Sequence, residues 1–181
     1  MSSAIEWLRD EHAAIMRALA VLAEIDRHLA AGDPVDPQDA GDVLDFLSGF
    51  GDTCHHGKEE GLLFPALLEA DATQSHKPIE RLRREHAQGR EWLSEMRDAL
   101  SARHHDPKAF HEAARRYTRL MLEHIDKENH VVFPMAARLL TAKQLAHLWR
   151  DFGSYEEKVM GPGRHQALHG LLHKLQDRYP V

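Results

Sequence analysis

Four histidines and two glutamates stand in this sequence at spacings that could hold metal. His55 and Glu59 lie four residues apart, and so do His124 and Glu128. On an α-helix such a pair shares one face, a turn above one another, so an imidazole and a carboxylate reach the same ion. Both pairs belong to copies of one twelve-residue stretch. Residues 54–65 read CHHGKEEGLLFP and residues 123–134 read EHIDKENHVVFP, with His, Lys, Glu, Phe and Pro in common places. A second repeat, LRDEHA at residues 8–13 and LRREHA at residues 82–87, puts His12 and His86 in matching positions. His12, His55, Glu59, His86, His124 and Glu128 therefore read as a metal site assembled from two related helix pairs. Imidazole and carboxylate donors suit iron, manganese or zinc. Each carboxylate can bridge two ions while two imidazoles bind each ion, which leaves room for an oxo or hydroxo bridge and an open position. A closed structural zinc site would use four ligands and usually cysteine.

A competing register exists, because His56 and Glu60 are also four apart. The repeat favours His55 and Glu59, whose counterparts have no rival pair. Asp52 and Gly49, one and two turns before His56, suit an outer helix face. Cys54 points about a quarter-turn from His55 and reads as a buried packing residue in preference to a redox-active one. Glu11 and Glu85 sit about a hundred degrees from their neighbouring histidines. They either face solvent or hold a ring N–H in place, as metal-bound histidines require. Glu-x-x-His steps, His-Glu-x-x-His, CxxC and Gly-rich phosphate loops are all missing from the sequence, which sets aside ferritin-like, zinc-protease, thiol-redox and nucleotide chemistry.

The elements that must carry these residues are helices. Ser3 and Glu6 form a capping box opening a helix whose apolar stripe (Ile5, Leu8, Ile15, Leu19, Leu22, Leu29) includes His12. Gly32 ends it. Asp36 as N-cap and Pro37 at the first helical position start the second helix, expected to run to about Leu68 with Leu44, Leu47 and Leu62 near the face of His55. Pro65 should bend it just past the site. Residues 71–77 read as a polar turn before Pro78. A third helix carries Ile79, Leu82, His86, Gly89, Leu93, Met96 and Leu100 in one seam. A loop at His104-His105-Asp106-Pro107 precedes a fourth, with Phe110, Tyr117, Met121, His124, Glu128, Val131 and Met135 on one stripe. A glutamate on such a stripe is costly to bury unless paired or metal-bound. Thr141 and Gln144 cap a fifth helix through Trp149, Phe152 and Val159. After Gly161-Pro162-Gly163 a last helix carries His165, His169 and His173 at four-residue steps. The ladder is either a second metal site or a solvated or docking face, and with no carboxylate or cysteine suitably spaced beside it the latter reading is preferred.

Length and composition agree with one domain of ordinary soluble type. The chain has 181 residues, 43% hydrophobic and 29% charged, with a net charge of −6 and signs interspersed. That balance offers no footprint for nucleic acid or an anionic membrane surface. A single cysteine excludes an internal disulfide, and the sequence shows neither a signal-peptide pattern nor a long uncharged run. The expectation is a cytoplasmic protein whose partner is a small molecule. Fifteen histidines are the one oddity of composition.

His12, His55-x-x-x-Glu59, His86 and His124-x-x-x-Glu128, with the LLFP and VVFP that follow, resemble the bacterial hemerythrin-like family over roughly residues 3–140. The resemblance implies an all-α fold, an up-down-up-down four-helix bundle at residues 1–140, with residues 141–181 as a C-terminal helical extension packed on it. It implies two non-heme iron ions joined by an oxo or hydroxo bridge, with Glu59 and Glu128 bridging. His12 and His55 would serve one iron, His86 and His124 the other. The oxygen-carrying members have a further histidine one turn after the position of His86, where this chain has Arg90, and use a His-x-x-x-x-Asp step where it has His124-x-x-x-Glu128. The expectation is a more symmetric centre, open at both irons, that binds and reductively handles O2, H2O2 or NO. The alternative is a non-enzymatic oxygen or iron sensor, or an iron-binding module. Glu156 or Glu157 is expected to return toward the bundle.

Overall fold

A computed structural model describes residues 3–101 and 106–180, and all regular structure among them is helical. His104 and His105 of the expected loop lie outside the described residues. Helix α1 spans Ala4–Ala31 and α2 spans Pro37–Phe46. The second helix continues, wound wider with π-type hydrogen bonds, through Leu47–His56 and Glu59–Leu63 into α3, Phe64–Leu100. Helix α4 covers Pro107–Lys127, followed by a π segment at Glu128–Val132 and α5 at Phe133–Leu139. Helices α6 (Ala142–Met160) and α7 (Arg164–Arg178) complete the chain.

The helix ends fall where local chemistry places them. Ser3 and Thr141 make reciprocal capping boxes with Glu6 and Gln144. Asp36 and Asp106 accept from backbone N–H groups of the first turns of α2 and α4, each followed by proline. Gly32 closes α1 at φ 76, a left-handed conformation that glycine adopts without Cβ strain.

Two expectations need correction. Residues 71–77 are helical. The chain breaks only at Asp71 (φ −160, ψ 92), whose carboxylate accepts from the Gln74 backbone at 3.1 Å and so caps a helix that restarts at once. The expected bend at Pro65 takes the form of a change in winding. The Phe64 N–H reaches back five residues to the Glu59 carbonyl, and the Phe133 N–H does the same to Glu128, each just before a proline. A proline ring clashes with the carbonyl four residues earlier in an α-helix, and the wider turn relieves that crowding. It also moves the apolar stripe by one residue. Val131 is 53% exposed while Val132 is buried, and Leu63 replaces Leu62 in the core.

Two apolar clusters flank the histidine layer. One joins the middle of α1, α2, α4 and α7 through Leu19, Phe46, Phe50, Tyr117 and Leu172. The other joins Leu8, Phe64, Leu82, Phe133 and Phe152. The tail docks on both. Helix α6 packs on α1 and on the π-wound part of the second helix, and α7 packs on α2. Asp39, buried, accepts from the Tyr179 hydroxyl at 3.0 Å and from Arg178. His165 and His169 pack at 5.4 and 5.0 Å from the Phe50 ring, while His173 is exposed, so the histidine ladder divides between docking and solvent. Glu156 is the residue that returns to the bundle.

Candidate metal centre

The structure brings together all six residues singled out by spacing, none of them more than 2% exposed. They fall into two groups whose donor atoms lie within 4.8 Å of one another: His12, His55, Glu59 and Glu128, and His56, Glu59, His86 and His124. Glu59 belongs to both. Glu128 links them too, with one oxygen 3.0 Å from His12 Nε2 and the other 3.3 Å from His124 Nε2. Glu59 lies 3.6 Å from His55 Nε2 and 3.5 Å from His86 Nε2. Thus α1, the second helix, α3 and the α4 end each contribute to one spot, as the two repeats require.

Each ring is held by its outer nitrogen. His55 Nδ1 donates to Glu11 at 2.9 Å, His86 to Glu60 at 2.7 Å, His124 to Glu85 at 3.0 Å and His12 to Asn129 at 3.1 Å. Glu11 and Glu85 therefore serve rings across the helix interface, not the histidines beside them in sequence. Glu60 and Asn129 occupy the same place in the two repeats, directly after the site glutamates. Phe133 and Phe64, also repeat-related, stack on His12 and His86 at 5.2 and 5.9 Å between ring centres. Nδ1–H bonds of this kind fix the tautomer and leave Nε2 as a lone-pair donor facing inward.

The inner atoms fit a cation. His55 Nε2, His56 Nε2, both oxygens of Glu59 and one of Glu128 are buried with no hydrogen-bond partner. Folded proteins rarely leave buried polar atoms in this condition, and here they converge on the two groups. His86 Nε2 and His124 Nε2 face each other at 3.1 Å. Oxygen and imidazole nitrogen at this density are the donor set of a borderline metal such as iron, manganese or zinc.

Electrostatics separate the inner groups from their supports. Burial, reinforced by the charge of Glu128, raises Glu59 to about 7. Burial pushes Glu128 upward as well, but His124 and His12 outweigh it and hold that carboxyl well below the usual range. The same carboxylate raises His124 to about 10 against the effect of burial. Burial, with His12 nearby for one and His86 for the other, pushes His55 and His56 well below an ordinary imidazole. The supporting Glu60 is held at about 2, first by its bond from His86 and then by Arg90 against burial. Glu85 also stands at about 2, with His124, Lys127 and Arg81 overcoming burial.

Beside the centre lies a second polar layer. Lys58, fully buried, donates to Glu11 and, at 3.3 Å, to Glu156 of α6. Its ammonium stands 5.1 Å from the Trp7 ring, and Trp7 Nε1 donates to Glu11 at 2.9 Å. Glu11, Cys54 and Glu156 approach one another closely enough to suggest a further cation site. Lys58 already supplies the positive charge there. Burial pushes the Cys54 thiol up to about 12, so it stays protonated and packs as expected. Lys127 repeats the arrangement on the other side by donating to Glu85.

One residue at the centre escaped the reading of the sequence. His56 was placed on an outer face, yet it is 3% exposed and stacks on His86 at 3.8 Å between ring centres. Adjacent residues diverge by about 100° on an α-helix, and a π-wound turn narrows that angle. Both His55 and His56 therefore face inward. The clue available in the sequence was the doubled histidine ahead of a proline-terminated repeat.

Searches among curated proteins and among solved structures gave no match. A family model described as the hemerythrin HHE cation binding domain matches residues 3–136, a span containing every residue of both donor groups and ending before α6. With the match and the buried histidine–glutamate groups together, the chain belongs to the hemerythrin HHE cation-binding family.

Proposed function

We propose that the protein holds two non-heme irons, joined by an oxo or hydroxo bridge, and uses them to bind and reductively handle small oxidants such as O2, H2O2 or NO. The observation that carries this reading is the pair of donor groups sharing Glu59, with Glu128 reaching into both. His12 and His55 would hold one iron, His86 and His124 the other, and Glu59 and Glu128 would bridge. A redox-active metal would supply Lewis acidity and relay electrons drawn from an external reductant, two for each peroxide reduced to water. The chain's own residues hold the imidazoles through their Nδ1 atoms and exclude water through the flanking clusters. Because the ligand side chains are almost fully covered, the centre favours molecules of a few atoms. On this reading residues 1–140 form the up-down-up-down four-helix bundle and residues 141–181 its docked extension. Among the described residues no helix is long and apolar enough to cross a membrane.

Purified protein should carry two irons per chain, show oxo-to-iron absorption in the near ultraviolet, and consume added peroxide. One zinc per chain without that absorption would replace this reading with a structural metal bundle.

A sensor is the second reading. It is favoured by the path from His55 through Glu11 and Lys58 to Glu156 on α6, which ties the donor set to the tail. Under it, iron loading should slow amide exchange in α6 and peroxide should not turn over.

A further inference from the structure

We propose that His56 is a ligand to the second metal, supplied by the second helix, and that Arg90 is the residue that positions it. The inference rests on the two-metal reading above.

His56 meets every condition met by the four histidines already assigned. Its Nδ1 lies 3.2 Å from an outer carboxylate, Asp52. Its Nε2 is buried, has no partner, and sits in one group with donor atoms of Glu59, His86 and His124. The ring is stacked on His86 and stands edge-on to His124 at 5.4 Å. A histidine serving only as packing would leave a buried nitrogen without a bond, aimed at the place where three other donors meet.

The support for the ring is built as carefully as the ring itself. Arg90 Nε donates to Asp52 at 2.8 Å, and another of its nitrogens donates to Glu60 at 2.8 Å. Asp52 orients His56 and Glu60 orients His86, so one guanidinium fixes the carboxylates behind two stacked imidazoles. The rigid planar fork of arginine holds the two carboxylates in fixed directions. Arg90 was expected to leave its metal short of a ligand. In the structure it stands behind a third imidazole instead. The two metals are then unequal: His56, His86 and His124 serve one, His12 and His55 the other. Fewer imidazoles would then serve the metal beside His12 and His55, which is also the side tied to Lys58 and the tail.

The test is a count of metal-bound imidazoles in the di-iron protein in its reduced state. Each imidazole bound through Nε2 carries an Nδ1 proton that is shifted far downfield by the paramagnetic iron and exchanges with solvent. Five such proton resonances are expected in the parent protein, and four would overturn the proposal. His56→Phe keeps the stack on His86 but has no nitrogen. It should lose one of these resonances and weaken retention of one iron at least tenfold in chelator competition. A His56→Phe protein that folds and holds both irons as the parent does would reduce His56 to a packing residue. Arg90→Gln should broaden the His56 and His86 resonances through faster exchange and leave those of His12 and His55 in place. A parent protein that binds no second iron would fail the two-metal reading itself, before any comparison with the variants.

Discussion

Glu59→Ala should abolish binding of both metals, whereas Glu60→Ala should weaken it about ten- to a hundredfold. Glu59 is completely buried, its two oxygens have no hydrogen-bond partner, and it is the residue common to both donor groups. Glu60 instead accepts from His86 Nδ1 and from Arg90, so its loss loosens a ring without removing a donor. Metal content after dialysis and chelator competition separate the two outcomes. Equal loss from both variants, or a greater loss from Glu60→Ala, would mean that the other register forms the centre. Metal-free protein provides a second readout through Glu59→Gln. Burial raises the Glu59 carboxyl to about 7, so its cost to folding is present above pH 7 and fades as pH falls toward the ordinary value of 4.5. Glu59→Gln should therefore exceed the metal-free parent in stability at pH 8, with the difference shrinking as pH falls below 7. Denaturant titrations at several pH values measure it, and a pH-independent difference would contradict the assignment.

Lys58→Met should destabilise the protein by about 3–5 kcal/mol, while Lys127→Met should cost about 1 kcal/mol or less. The two lysines hold the same place in the repeat and both donate to a glutamate that orients a site histidine. They differ in cover. The side chain of Lys58 is 0% exposed, closed in by Trp7, Phe152 and Glu156, and that of Lys127 is 21% exposed. Removing a buried cation leaves the Glu11 and Glu156 carboxylates close together with no charge between them, Glu11 keeping only its bonds from Trp7 and His55, and the carboxyl of Glu11 is already raised by burial. Removing a half-solvated one lets water take its place. Urea unfolding of the two variants without metal gives the comparison. Similar losses would show that α6 adds nothing to the lysine's burial.

Much of the centre was legible because the chain states it twice. The steps from His55 to Glu59 and from His124 to Glu128, the matching His12 and His86, and the shared phenylalanines and prolines fix which residues meet. The capping residues Ser3, Asp36, Asp106 and Thr141 mark the helix starts by local hydrogen bonding alone. These features depend on spacing and on a few neighbouring atoms, and so survive being read without a fold.

What the sequence could not determine was the winding of the helices and the partners across them. A period of 3.6 residues places His56 and Val132 outside and Val131 inside, and the π segments reverse all three. Glu11 and Glu85 support histidines on other helices, Arg90 spans from α3 to Asp52 and Glu60, and Lys58 is covered by α6 as well as by Trp7 and Glu11 of α1. The sequence by itself determined the six residues that come together, through a repeat whose geometry is local. Only the tertiary structure decided which outer groups hold them and that His56 lies beside them, because those contacts depend on where one helix face meets another.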